Sequence, residues 1–137
     1  MNIDFAKYDP DLYWALQVVQ NPETLRQVTG VKAFNIVRTF NTATDPSEIL
    51  LPAAVGVVYF IKRFAQSTQN AITGGPPSFE MLEPFTANPG FTATYPTVPG
   101  RFFMDGPYLA SLAQHNDNAA SVGTVSLAIN GFTITFQ

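Results

Sequence analysis

No cysteine occurs in this chain of 137 residues. That absence removes disulfide frameworks, thiolate metal sites and a thiol nucleophile together, and it leaves the redox compartment unreadable. Histidine is nearly as scarce. His115 stands alone in the polar stretch AQHNDN, with no second imidazole to share a metal, so it is expected on a surface loop. Charged side chains make up 12% of the chain, about half the usual share. The net charge of -3 comes with no basic stripe, which excludes a nucleic-acid partner, since phosphate contacts demand a basic surface. The longest apolar run, Ile49 to Ile61, is interrupted by Pro52 and Gly56 and is too short to span a bilayer, so no membrane insertion is expected. The opening MNIDFAKYDPD lacks the basic-then-apolar order of a signal peptide, and export by that route is not expected.

Signatures of catalysis are missing as well. There is no Gly-x-Ser-x-Gly elbow. Gly74 and Gly75 precede two prolines rather than a helix, so they offer no helix-start amides to a phosphate. Glu48, Glu80 and Glu83 adjoin turns or strand ends, where turn formation and solubility account for them. Asp105 and Asp117 lie near His115 but not in the EF-hand order of acids and glycine. The expectation is no enzyme, no cofactor and no metal.

What the chain does have is apolar bulk: 46% hydrophobic residues, with twelve Phe, five Tyr and one Trp. A solitary soluble domain wants more surface charge than this. Interfaces are rich in aromatics and poor in charge at their centres, so the composition points to a subunit whose flanks are covered by neighbours. The length suits one domain with a core that needs no staples.

Two short helices are expected in residues 1–30, an N-terminal arm. Asp9-Pro10 and Asn21-Pro22 each supply a cap followed by proline at the first helical position. Leu12, Leu16 and Val19 recur at helical spacing, which puts helices over 10–20 and 22–28, with Gly30 as the stop. Phe5, Tyr8, Tyr13 and Trp14 are too many large groups for one stripe. Either the helices fold back over the domain, or the arm reaches a neighbouring subunit through Phe5, Trp14 and Leu16.

From Val31 the period becomes alternating, and residues 31–137 are expected to form an antiparallel β-sandwich, immunoglobulin-like or jelly-roll. The organising strand is Val55 to Phe64, VGVVYFIKRF. Val57, Tyr59 and Ile61 share one face and Val58, Phe60 and Phe64 the other, so both faces are apolar and the strand belongs inside a two-layer structure. Phe34, Ile36, Arg38 and Phe40 give a first strand, and Ile49 to Leu51 a second. Gln66 to Asn70 reads as a turn. Phe79 with Met81, Phe91 with Ala93 and Tyr95, and Phe102 with Met104 give further short strands, the last stopped by Asp105-Gly106-Pro107. Tyr108 to Asn118 reads as a helical turn and polar loop. At the C-terminus, Val125, Leu127 and Ile129 precede Asn130-Gly131, and Phe132, Ile134 and Phe136 follow. A hairpin through an Asn-Gly turn is slightly preferred over one strand bulged there. Tyr95, Phe102, Phe103 and Tyr108 are candidates for an exposed sugar-stacking face, with core and interface filling as the commoner use of such rings.

Three segments in order, VVYFIKRFAQS, TATYPTVPGRFFMDG and VSLAINGFTITFQ, resemble the short single-jelly-roll penton proteins of tailless icosahedral, membrane-containing bacteriophages and similar small phage virion proteins. The shared pattern is an apolar strand ending in a polar turn, an aromatic and proline approach to a corner, here Val98-Pro99-Gly100-Arg101, and a closing apolar strand. The helical N-terminus and the stretch from Tyr108 to Ala120 depart from it. The resemblance implies a single jelly roll, no catalysis, and a homopentamer at virion vertices beside a major capsid protein. The protein would be made in the host cytoplasm, with lipid near but not entered. It also implies the bulged single strand rather than the hairpin. The leading expectation is therefore a structural virion protein, a penton or other minor capsid subunit. The alternative is a carbohydrate- or receptor-binding sandwich such as a spike or fibre head.

Overall fold

The computed structural model describes residues 10–20, 27–82 and 90–137. Among them are a helix α1 (Pro10–Val19) and strands β1 (Val28–Asn41), β2 (Glu48–Leu51), β3 (Val57–Thr68), β4 (Ser78–Leu82), β5 (Phe91–Thr94), β6 (Gly100–Ala110), β7 (Leu112–Asn116) and β8 (Thr124–Phe136). They build an antiparallel β-sandwich. One sheet has the order β1-β8-β3-β6, the other β2-β7-β4-β5. The pairings nest: β1 with β8, β2 with β7, β3 with β6 and β4 with β5.

The core lies between the sheets. Ile36, Ile129, Phe64 and Met104 form one inward row across the first sheet, and Phe79, Met81, Ala93 and Ala113 meet them from the second. Phe64 is fully buried, with its ring 5.2 Å from that of Phe79. A second apolar cluster lies on the other side of the first sheet. There Ala15 and Val19 of α1 cover Val58, Phe60 and Ile134, with Leu16, Val31, Leu109, Phe132 and Phe136 packed around them. The molecule is thus helix on sheet on sheet at one end and sheet on sheet at the other.

That layering corrects the strand expectations. The organising strand begins at Val57, after an exposed Val55 and a Gly56 at φ 75°, and runs on to Thr68. Gln66 and Thr68, expected in a turn, are buried inside it. Lys62 is an extra residue in β3: Ile61 faces Gly131 of β8 and Arg63 faces Asn130, its immediate neighbour. This bulge shifts the alternation by one, so Phe64 joins Tyr59 and Ile61 between the sheets instead of Val58 and Phe60 under the helix. The β6 strand has its own irregularity opposite: Arg63 pairs Asp105 and Ile61 pairs Tyr108. Pro107 is absorbed there, so the strand continues where Asp105-Gly106-Pro107 were expected to stop it.

The C-terminus is one strand, not a hairpin, and β8 pairs β1 without interruption at Asn130-Gly131. No bulge in β8 carries the apolar face across. Val125, Leu127 and Ile129 point between the sheets, while Phe132, Ile134 and Phe136 point to the helix side. The change of parity in the sequence marks a change in which face is covered. Gly131 sits where the strands come closest: a Cβ there would lie 1.9 Å from the Phe60 carbonyl oxygen.

Two further expectations fail. Tyr108 to Asn118 is neither helical nor a loop through most of its length, because β6 reaches Ala110 and β7 spans Leu112–Asn116. Val28 to Gly30, expected as the end of a second helix and its stop, open β1. The body of that second helix, and Phe5 and Tyr8, fall outside the described residues. The α1 helix agrees with expectation, closed by the Gln20 amide donating to the Leu16 carbonyl at 3.0 Å.

Candidate functional site

The outer face of the first sheet is best read as rows of residues paired across its strands. Nearest the chain end, Val31, Ile134 and Val58 form a row, and Ala33, Phe132, Phe60 and Leu109 the next. The helix covers much of both. A row of Asn35, Asn130 and Arg63 follows. Beyond it the face is apolar again, with Val37, Ala128, Ala65 and Phe103 in line, and a last row of Thr39, Ser126, Ser67 and Arg101. The helix packs over β3 and β6 beside the first rows, and among the described residues nothing covers the last two.

Val37 is 61% exposed and Phe103 48%, at the two ends of the apolar row. Between them the small side chains of Ala65, Ser67, Ser126 and Ala128, walled by Phe103 and Arg101, leave a shallow trough of about 180 Å³. The Arg63 guanidinium lies over the Phe103 ring, 4.7 Å from its centre, an attraction that helps fix the ring's position.

The expected arm residues go to different places. Leu16 packs into the cluster beneath the helix, and Trp14 is 45% exposed on the helix's other side. Phe5 is outside the described residues. Among the described residues, Trp14 is not one of those packed in the cluster beneath the helix.

The four rings considered for sugar stacking do not share a face. Tyr95 is fully buried between the sheets, and burial pushes its phenol well above the ordinary value. Tyr108 is half-buried against the same core. Phe102 and Phe103 are adjacent in β6 and so point to opposite sides. The Phe102 ring packs 6.1 Å from that of Phe64, and Phe103 lies on the outer face.

His115 is the largest departure from expectation. It is fully buried in β7, not on a surface loop. Its ring stacks on Phe40 of the opposite sheet, with centroids 3.8 Å apart and planes within 2°. Its Nδ1 shares a hydrogen bond of 3.1 Å with the Tyr95 hydroxyl. Burial pushes the imidazole below its ordinary pKa, against the opposing pull of Asp117, Glu48 and Asp45. Glu48 is its register partner on β2 and is itself held by Arg38 of β1 at 3.3 Å. Among the described residues, no three of His, Asp and Glu gather in a way that could hold a metal ion. Glu80 is taken by the Gln114 amide at 2.7 Å. Sequence reasoning missed His115 because its neighbours are polar. The signal that finds it is the alternation of Ala113 and His115, both buried, with Gln114 and Asn116, both part-exposed.

No family model matches the chain, and no curated protein matches it. Among solved structures, a chain from the disulfide-linked pili of Bacillus endospore appendages is similar over 77% of this chain and 89% of that one, with 11% identity and a TM-score of 0.42. A likeness that slight transfers no function.

Proposed function

We propose that the protein is a structural virion subunit, a penton or other minor capsid protein, that assembles side by side with copies of itself. The observation that carries this reading is the apolar row on the first sheet, Val37, Ala128, Ala65 and Phe103, which α1 stops short of and no other described residue covers. A composition with 12% charged residues leaves few groups to wet such a face, and a neighbouring subunit removes it from water. The nested pairing of eight strands supports reading the sandwich as a jelly roll of two Greek keys, the architecture that the resemblance to phage vertex proteins implies. In that reading the assembly is a homopentamer beside a major capsid protein, and it acts by burial rather than by chemistry. Each square ångström of apolar area removed contributes roughly 25 cal/mol, less the cost of association.

Sedimentation velocity at micromolar concentration tests it. The expected result is a closed oligomer, a pentamer, dissociating on dilution. A protein that stays monomeric at tens of micromolar and binds no capsid component overturns the reading. The spike or fibre-head alternative gains no support from the rings, which are divided between the core and two faces of the sheet.

A further inference from the structure

The burial of the chain's one histidine has a consequence independent of assembly. We propose that His115 is an acid-sensitive latch between the two sheets: neutral, it locks the end of the sandwich near the β1–β2 turn, and protonation loosens that end. The imidazole belongs to β7 in the second sheet, but its stacking partner, Phe40, belongs to β1 in the first. Tyr95, just past β5, closes a third side through its hydroxyl. One ring therefore ties three parts of the chain at a point where β2, an edge strand of four residues, is the nearest cover.

The neutral ring suits this place and the cation does not. A neutral imidazole has one donor and one acceptor, and Tyr95 satisfies Nδ1 in either role. Among the described residues, Nε2 has no hydrogen-bond partner. Protonation makes both nitrogens donors and puts a charge on a ring with no exposed surface, and whichever tautomer it starts from, the cation's Nε2–H has nothing to donate to. The groups that favour the cation are Asp117 just after β7, Glu48 on β2 and Asp45 in the preceding turn. None of them hydrogen-bonds the ring. Asp45 accepts from the Asn41 amide at 2.6 Å, and Glu48 is partly neutralised by Arg38. Burial outweighs them, so the fold binds the proton more weakly than the unfolded chain does.

The direction of the pH effect follows. The unfolded chain takes up the proton near pH 6.5 and the folded chain does so lower. The stability this residue contributes is therefore present above about pH 6.5 and is lost as pH falls through the window between the two values. Proton uptake by the unfolded chain sets the limit: between pH 7.5 and 5.5 the unfolding constant can rise by at most about tenfold. The chain has no cysteine and a single histidine, so few other groups titrate in that interval.

Two measurements on the full chain test the latch. Proton-carbon NMR of the single imidazole, followed from pH 8 to 5 in the native protein, is expected to show it neutral below pH 6.5. Titration at or above 6.5 overturns the proposal. Urea unfolding at pH 7.5 and 5.5 is then compared between the wild type and His115→Gln. The wild type is expected to lose stability on acidification by a factor several times larger than the variant does. Equal losses overturn it. Should the variant not fold, the imidazole titration decides alone, since it needs no substitution. A monomeric protein with a neutral buried ring would sink the capsid reading and leave the latch standing.

Discussion

The two halves of the first sheet's outer face begin from the same backbone and end differently. At one end the rows contain Val31, Ile134, Val58, Phe132, Phe60 and Leu109, with a small Ala33 at the exposed edge, and a helix covers much of them. At the other they contain Val37, Ala128, Ala65, Phe103 and four hydroxyl or arginine residues, and no described residue covers them. The covered half uses large side chains because the helix stands off the sheet by the width of a packed layer, which must be filled to interior density. The open half uses alanine and serine, which leave the backbone close to whatever approaches. Large groups mark a surface the chain buries itself; the small ones, flanked by an exposed ring and an exposed valine, form the surface where the proposed assembly would place a neighbour.

Substitutions separate the regions by size of effect. The largest belongs to the core that both halves share. Phe64→Ala removes a fully buried ring that touches Phe79, Phe91 and Phe102, and is expected to cost about 3–5 kcal/mol in urea unfolding. Next is Tyr95→Phe, which keeps the ring but takes the hydroxyl from His115 Nδ1. Leaving that buried nitrogen unpaired is expected to cost about 1–3 kcal/mol. Smaller again is Ile134→Val beneath the helix, at about 0.5–1.5 kcal/mol. Its distinguishing readout is amide exchange: protection should fall in α1 more than in β4 or β7, because the second cluster holds the helix and the first does not. Uniform loss of protection would show that the two clusters unfold as one.

Much of this was legible in the sequence. The alternation of Phe34, Ile36 and Phe40, of Phe79 and Met81, and of Phe91 and Ala93 predicts strands that the structure contains. The misreadings share a cause. Alternation reports which side chains are apolar but not what lies over them. In β3 and β8 the apolar parity changes midway; for β8 the sequence offers a turn or a bulge as the reason, and for β3 it reads as plain alternation with two apolar faces. In β8 the cause is cover: the helix turns the outer face into a second interior for the last third of the strand. In β3 the bulge at Lys62 adds to it. His115 and Gln66 were misplaced for the converse reason, as polar residues are read as exposed unless a partner is known in advance. The Gln66 amide reaches the Ala93 carbonyl at 3.1 Å on another sheet, a pairing no local pattern announces.

The smallest effect on stability should accompany the largest effect on association. Val37 is 61% exposed at the edge strand of the open half, and its neighbour across the ladder is Ala128. Val37→Lys exchanges one extended side chain for another where neither is buried, so the monomer's stability should change by less than about 1 kcal/mol. If this row is the surface that copies share, the same lysine places a charge where the interface has no described acid in the row to meet it, and desolvating that charge raises the dissociation constant by tenfold or more. Sedimentation of wild type and variant at matched micromolar concentration reads the difference directly. An unchanged oligomer would show that Val37 lies outside the contact and would move the interface to another exposed ring, such as Trp14 on the helix.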